Sequence, residues 1–211
     1  MGTPPAELSS FAAEVEVEIA VGGLTISVKS DGVYTEDAYR CDTEIAFGGA
    51  ALPISVIVTP SRVWIDRGTG YEETTMDDND VQNAIGSCAA SPGYWTDFAD
   101  TELDARGEPD ELKGVPVERF ELDEFLGAAA RFGFGPENAE GMTFDRMTMW
   151  IADPGGWIAG MRMEMSFDAE TGTAIFGSPF DPTTDASGTM SFQVQITDPN
   201  NPTLVVEIPQ D

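Results

Sequence analysis

The sequence predicts an α+β domain: one continuous antiparallel sheet, apolar on a single face, with helices laid against that face. Three observations carry this. Apolar and polar residues alternate with period two in segment after segment. Gly- and Asp-rich turns separate those segments. The alternation stops over 76–103 and again over 123–134, where apolar residues recur at helical spacing behind acidic caps.

In Glu14-Val15-Glu16-Val17-Glu18-Ile19 carboxylates and β-branched residues alternate strictly, the pattern of a half-buried strand. Gly22-Gly23 signals a hairpin, Leu24–Lys29 repeats the alternation, and Asp31-Gly32 is read as the next turn. Strands follow at about 37–47, 53–59 and 62–66, the last entering a Gly68-Thr69-Gly70 turn, so that five strands in sequence make a meander.

Asp77-Asp78-Asn79-Asp80 ahead of Val81, Ala84 and Ile85 reads as a capped helix, with a second short one near 92–101. Pro116–Leu122 returns to a strand, and Asp123 caps a helix through Phe125, Leu126, Ala129 and Ala130. Three long strands close the chain: Phe144–Ile151, Trp157–Phe167 after the turn Asp153-Pro154-Gly155-Gly156, and Thr189–Thr197 after a loop rich in Gly, Pro and Asp.

The 211 residues suffice for one domain with a sizeable core. Asp+Glu 38 against Lys+Arg 10 gives a formal charge of -28, which repels nucleic-acid phosphates and anionic headgroups, so no nucleic-acid partner is expected. The excess of carboxylate fits a strongly hydrated, salt-adapted surface. Hydrophobic residues at 41% are too many for a disordered acidic tail. The absence of histidine removes His-dependent nucleophilic and imidazole metal sites.

Cys41 and Cys88 are too far apart for a redox CxxC or a complete zinc site, and a structural disulfide is the natural pairing, with two buried thiols as the alternative. A disulfide places the chain outside the reducing cytosol. The start Met1-Gly2-Thr3-Pro4-Pro5-Ala6 has neither a basic nor an apolar signal region, so an export signal is expected to have been removed, leaving 1–10 as a flexible linker before a single domain over 11–211.

Met147, Met149, Met161, Met163, Met165 and Met190 all fall in the last three strands, with Phe192 on the same face as Met190. Unbranched thioethers adapt to ligands of variable shape such as acyl chains, and they equally fill a core. Phe125, Phe132 and Phe134 on the expected helix would face them. The acidic run from Asp77 fails the EF-hand pattern, with Gln82 and Cys88 where Gly and Glu belong, and reads as a solvated cap. Glu72-Glu73 with Asp97 and Asp100 could supply a carboxylate pair for glycoside hydrolysis, but near pairs are expected by chance in so acidic a chain, and no enzyme is expected.

The stretch Lys113-Gly114-Val115-Pro116-Val117-Glu118-Arg119-Phe120-Glu121-Leu122-Asp123, then Met149-Trp150-Ile151-Ala152-Asp153-Pro154-Gly155-Gly156-Trp157-Ile158, and the closing Asp198-Pro199-Asn200-Asn201-Pro202 before Ile208-Pro209 resemble bacterial cell-envelope lipoproteins of the LppX/LprG type, with a LolA/LolB-like fold. The resemblance implies a LolA-like antiparallel half-barrel with helices on its concave face and acyl chains between them. It implies a lipid or acylated ligand, no cofactor and no metal, a monomer in the envelope or secreted, and an anchor through an N-terminal lipid-modified cysteine that this sequence does not contain. The expected function is thus a lipid or lipoprotein carrier lined by the methionines, Phe192 and the three helix phenylalanines; the alternative is an extracytoplasmic interaction or sensor module with a filled core.

Overall fold

A computed structural model of the chain describes residues 8–75, 85, 88, 107–122, 141–153, 155–176 and 186–209. Its strands are β1 (Ser10–Val21), β2 (Leu24–Thr35), β3 (Tyr39–Phe47), β4 (Ala50–Val58), β5 (Val63–Asp66), β6 (Glu72–Thr74), β7 (Glu108–Leu112), β8 (Val115–Leu122), β9 (Met142–Ala152), β10 (Ile158–Phe167) and β11 (Gly188–Thr197). All pair antiparallel in one sheet of order β6-β5-β4-β3-β2-β1-β11-β10-β9-β8-β7. The sheet is two meanders joined through the first and last strands, with Ala12 opposite Thr197 and Val21 opposite Gly188.

The alternation read in the sequence sets the faces. Odd-numbered residues of β1 (Phe11, Ala13, Val15, Ile19) are buried on an inner face, while Glu14, Glu16 and Glu18 point outward. Gly22 and Gly23 have φ of 56° and 80°, the left-handed pair that a two-residue hairpin matching strand twist requires. Gly48 and Gly49, at 57° and 85°, repeat the device between β3 and β4.

Three expectations change. Asp31-Gly32 is no turn: both lie inside β2, and the chain reverses after Thr35, whose N–H and hydroxyl both donate to the Ala38 carbonyl. β6 and β7 are additions to the expected strands, because three residues are too few for a pattern and Glu-Pro-Asp-Glu-Leu shows no alternation. The stretch after β10 that reads as polar loop opens with a helix, α1 (Ala169–Phe176), capped by the Asp168 carboxylate accepting the Thr171 N–H at 2.9 Å. At the start of β1 Ser9 donates through N–H and hydroxyl to Asn200 Oδ1, and Ser10 donates to the Asn201 carbonyl.

The helices expected from Asp77 through Ile85, near 92–101 and over 123–134 fall almost wholly outside the described residues; of the first, Ile85 alone is described. Helices laid against the inner face are therefore not part of the described architecture; α1 is the one helix described over its length, and Ile85 is helical as a single described residue. It sits at the end of the sheet, where Gly172 packs against the Phe167 ring and the Ala186 backbone.

The β7–β8 hairpin leaves the plane of the sheet. A methyl group built on Gly160 of β10 would lie 2.7 Å from Leu112 Cδ2, and Lys113 Nζ comes within 3.6 Å of Glu14 Oε2 on β1. The hairpin end thus lies across the outer face, and the missing side chain at 160 lets Leu112 come down on it in this position.

Candidate functional site

Strand register brings the methionines together. Met147 of β9, Met163 of β10 and Phe192 of β11 stand opposite one another in one row; Met149, Met161 and Val194 form the next; Met165 faces Met190 in a third. Val17, Val15 and Ile19 of β1 continue these rows across the β1–β11 ladder. Register shifts between Ile158 and Gly160 and between Glu164 and Met165 keep the apolar positions of β9 and β10 on one face.

Met147, Met149 and Met165 are 1% exposed and Met161 and Met163 2%, so the face is closed to solvent rather than open like a bare sheet. Phe192 is buried and Met190 half-buried. Phe125, Phe132 and Phe134, expected to oppose the methionines, lie outside the described residues.

The other half of the inner face has different chemistry. β2 to β5 present β-branched residues, Val56, Val58, Val63 and Ile65 among them, around the disulfide between Cys41 and Cys88, whose Cα atoms are 5.5 Å apart. That bond fixes position 88 onto the inner face, and Ile85 packs on the same core. Beside it the Thr43 hydroxyl donates to Ser30 Oγ at 3.0 Å, satisfying two buried polar groups within the face. Tyr39 lies near the far end, and burial pushes its phenol up to about 12, so it is neutral throughout the physiological range.

No inward position of β1 to β4 or β9 to β11 carries a charged side chain among the described residues. No group of three or more His, Cys, Asp or Glu among the described residues could hold a metal ion. Such a face supports reversible contact with apolar groups. The carboxylate pair weighed for glycoside hydrolysis does not assemble among the described residues: Glu72 and Glu73 are exposed on β6, Glu73 lies 3.7 Å from Arg62, and Asp97 and Asp100 lie outside them.

Sequence reasoning places the methionines but passes over Val15, Val17, Val194 and Phe120, which complete the same rows. Their signal is the same alternation, which marks every inward residue and not the thioethers alone.

Two clefts lined wholly by described residues lie elsewhere. One, of about 280 Å³, is a polar trough on the outer face between Glu16, Glu18, Lys29, Arg162 and Gln193. The other, of about 370 Å³, opens at the β1–β2 hairpin beside Val21, Leu24 and Gly188. The outer face is otherwise laced by exposed ion pairs, such as Lys29 with Glu16 at 3.2 Å and Arg119 with Glu108 at 2.7 Å. At Glu121 burial pulls the carboxyl upward, but hydrogen bonds from Arg146 and Thr148 outweigh it and hold the group below its ordinary value.

No protein-family model and no curated protein matches the chain. Among solved structures, it is similar to a LolA superfamily protein from Nitrosomonas europaea at 8% identity and a TM-score of 0.27, covering 93% of this chain and 86% of that one. It is also similar to a DUF1329 family protein from Desulfovibrio piger, at 9% identity and a TM-score of 0.29, covering 94% and 88%. A third is a putative outer membrane lipoprotein-sorting protein domain from Vibrio parahaemolyticus, at 8% and 0.23, covering 94% and 88%. At these scores the likeness assigns neither fold nor activity.

Proposed function

We propose that the chain is an extracytoplasmic binding protein, not an enzyme, that takes an apolar chain such as a lipid acyl group against the methionine face of β9 to β11. The observation that carries this is the row arrangement of Met147, Met149, Met161, Met163 and Met165 on neighbouring strands, closed from solvent and free of charge. Branched residues would fill such a face more rigidly; side chains with three rotatable bonds can move aside for a guest and close again after it. The disulfide supports a site outside the reducing cytosol. The LppX/LprG-type resemblance of the stretches around Val115–Asp123 and Met149–Ile158 points the same way, the sheet then being the half-barrel of a lipid or lipoprotein carrier, acting without a cofactor and as a monomer.

A second reading, an interaction or sensor module with a filled core, is favoured by the near-complete burial of the methionines. One paired measurement separates the two. Met163→Trp or Met149→Trp fills space that a ligand would need, and overpacking is costly where no such space exists. The carrier reading expects lipid on the purified protein in native mass spectrometry and acyl-probe binding that the Trp variants lose while their stability holds. A wild type that binds no probe, with Trp variants destabilised by about 1–3 kcal/mol, establishes the filled core instead.

A further inference from the structure

We infer that the β1–β2 and β3–β4 hairpin ends form a docking surface for the uncharged face of a lipid bilayer. Phe47 is 50% exposed, Leu52 62% and Leu24 38%, and these are three of the five large apolar side chains most open to solvent among the described residues. They belong together: Phe47 stands opposite Ile26, Leu52 opposite Ile45, and Leu24 closes the adjoining hairpin two residues before Ile26. The turns that carry them project, since a side chain built on Gly23, Gly48 or Gly49 would meet nothing within 4 Å. The cleft of about 370 Å³ at Val21, Leu24 and Gly188 opens at the same end.

Charge identifies the occupant. The chain carries -28, yet no charged residue occurs from Ile19 to Val28 or from Ile45 to Ser61. β1, β2 and β3 are paired on both sides here, and β4 pairs with β5 only over Ser55–Val58; the unpaired side of Ala50–Ile54 is interrupted by Pro53, which has no N–H to offer, so it is a poor template for a partner strand and the side chains are the main offer. Protruding Phe and Leu at hairpin ends whose nearest charges on β2 and β3, Lys29 and Glu44, face each other one step further back need a partner that demands no polar pairing, and the headgroup–acyl boundary of a bilayer is such a partner. The remaining acidic surface repels anionic headgroups, so the bilayer it seats on is zwitterionic, or anionic only when salt screens the repulsion. Docking needs the hairpin ends alone and stands whether or not the methionine face holds a ligand.

The test is flotation with phosphatidylcholine vesicles, with and without added phosphatidylglycerol, at low and high salt. Wild type should float with phosphatidylcholine, and Phe47→Ser with Leu52→Ser should lower the bound fraction by roughly tenfold or more. Phosphatidylglycerol should weaken binding at low salt and less so at high salt. Val205→Ser, which removes an apolar residue 71% exposed elsewhere, should leave binding unchanged. Should the double variant fail to fold, Phe47→Trp reads the same contact, its added fluorescence shifting to the blue with vesicles. Wild type that does not float, a folded double variant that floats equally, equal loss in Val205→Ser, or fluorescence of the Phe47→Trp variant indifferent to vesicles overturns the inference. So does a wild-type dimer that the double variant makes monomeric without any vesicle binding, which would give these ends to a second copy of the chain. Acyl-probe binding by the double variant reads the ligand proposal separately.

Discussion

Asp31 of β2 stands directly opposite Asp42 of β3, and Glu14 of β1 faces Asp31 from its other side. The flanking carboxylates have cations, Arg40 at 2.9 Å from Asp42 and Lys113 at 3.6 Å from Glu14. Asp31 has no cation within 4.0 Å among the described residues, so it sits as an uncompensated charge between two others.

Like charges in register cost a few tenths of a kcal/mol up to about 1 kcal/mol per pair. Asp31→Asn should therefore raise stability at low ionic strength by up to about 1 kcal/mol, and the gain should shrink in molar salt, where wild type itself becomes more stable. Thermal melts of both proteins across a NaCl series check this. A gain that is constant with salt would mean that the row is not held apart by its charge.

Asp66 titrates in the opposite sense to a repelled carboxylate. The N–H groups of Gly70, Gly68 and Thr69 all donate to its Oδ1, at 2.9, 2.7 and 3.0 Å, and hold its carboxyl below the ordinary value. A folded-state pKa below the unfolded one makes the charged form stabilising. That contribution is complete above the unfolded value of about 3.9 and is lost as pH falls through the folded one. Asp66→Asn keeps the acceptor and removes the charge, so wild type should exceed it in stability at neutral pH and the difference should close in acid. Urea midpoints from pH 7 to pH 2 decide it; a difference constant over that range would assign the effect to shape alone.

Gly160 tests the hairpin that crosses the outer face. Gly160→Ala sets a methyl group against Leu112 Cδ2, the end of a side chain that can turn aside into a less favoured rotamer, and should cost about 1 kcal/mol. Adding Leu112→Ala removes the clash, so the double variant should lose less than the sum of the two single ones. Strict additivity in denaturant melts would show that the two residues do not press on each other.

Cys41 and Cys88 are 47 residues apart in sequence, and opening their bond should destabilise the chain by about 4 kcal/mol on the chain-entropy account. Both thiols should resist alkylation in denaturant until reduced, as read by intact mass. Labelling of both without reduction would refute the bond.

The period-two alternation of β1, β2, β10 and β11 makes the single antiparallel sheet legible, because one buried face forces that pattern on every residue. Pairing order is another matter. Nothing local in Ala12 or Thr197 announces that they lie opposite each other, since that contact joins the two ends of the chain. Asp31-Gly32 misleads because the dipeptide that makes a hairpin also fits inside a strand when its neighbours pair on both sides. The methionine face is readable from spacing alone. The apolar hairpin ends are not, because Phe47 and Leu52 look like core residues until their exposure is known.

The two rims of the eleven-stranded ladder are β6, three residues long, and β7, which carries Pro109 among Glu108, Asp110 and Glu111. In polymer terms neither rim among the described residues propagates well: one is too short to template a neighbour, and the other lacks an amide hydrogen at Pro109 and repels its own kind. A sheet this wide with long bare rims would be a seed for fibres, and these two short segments blunt that tendency.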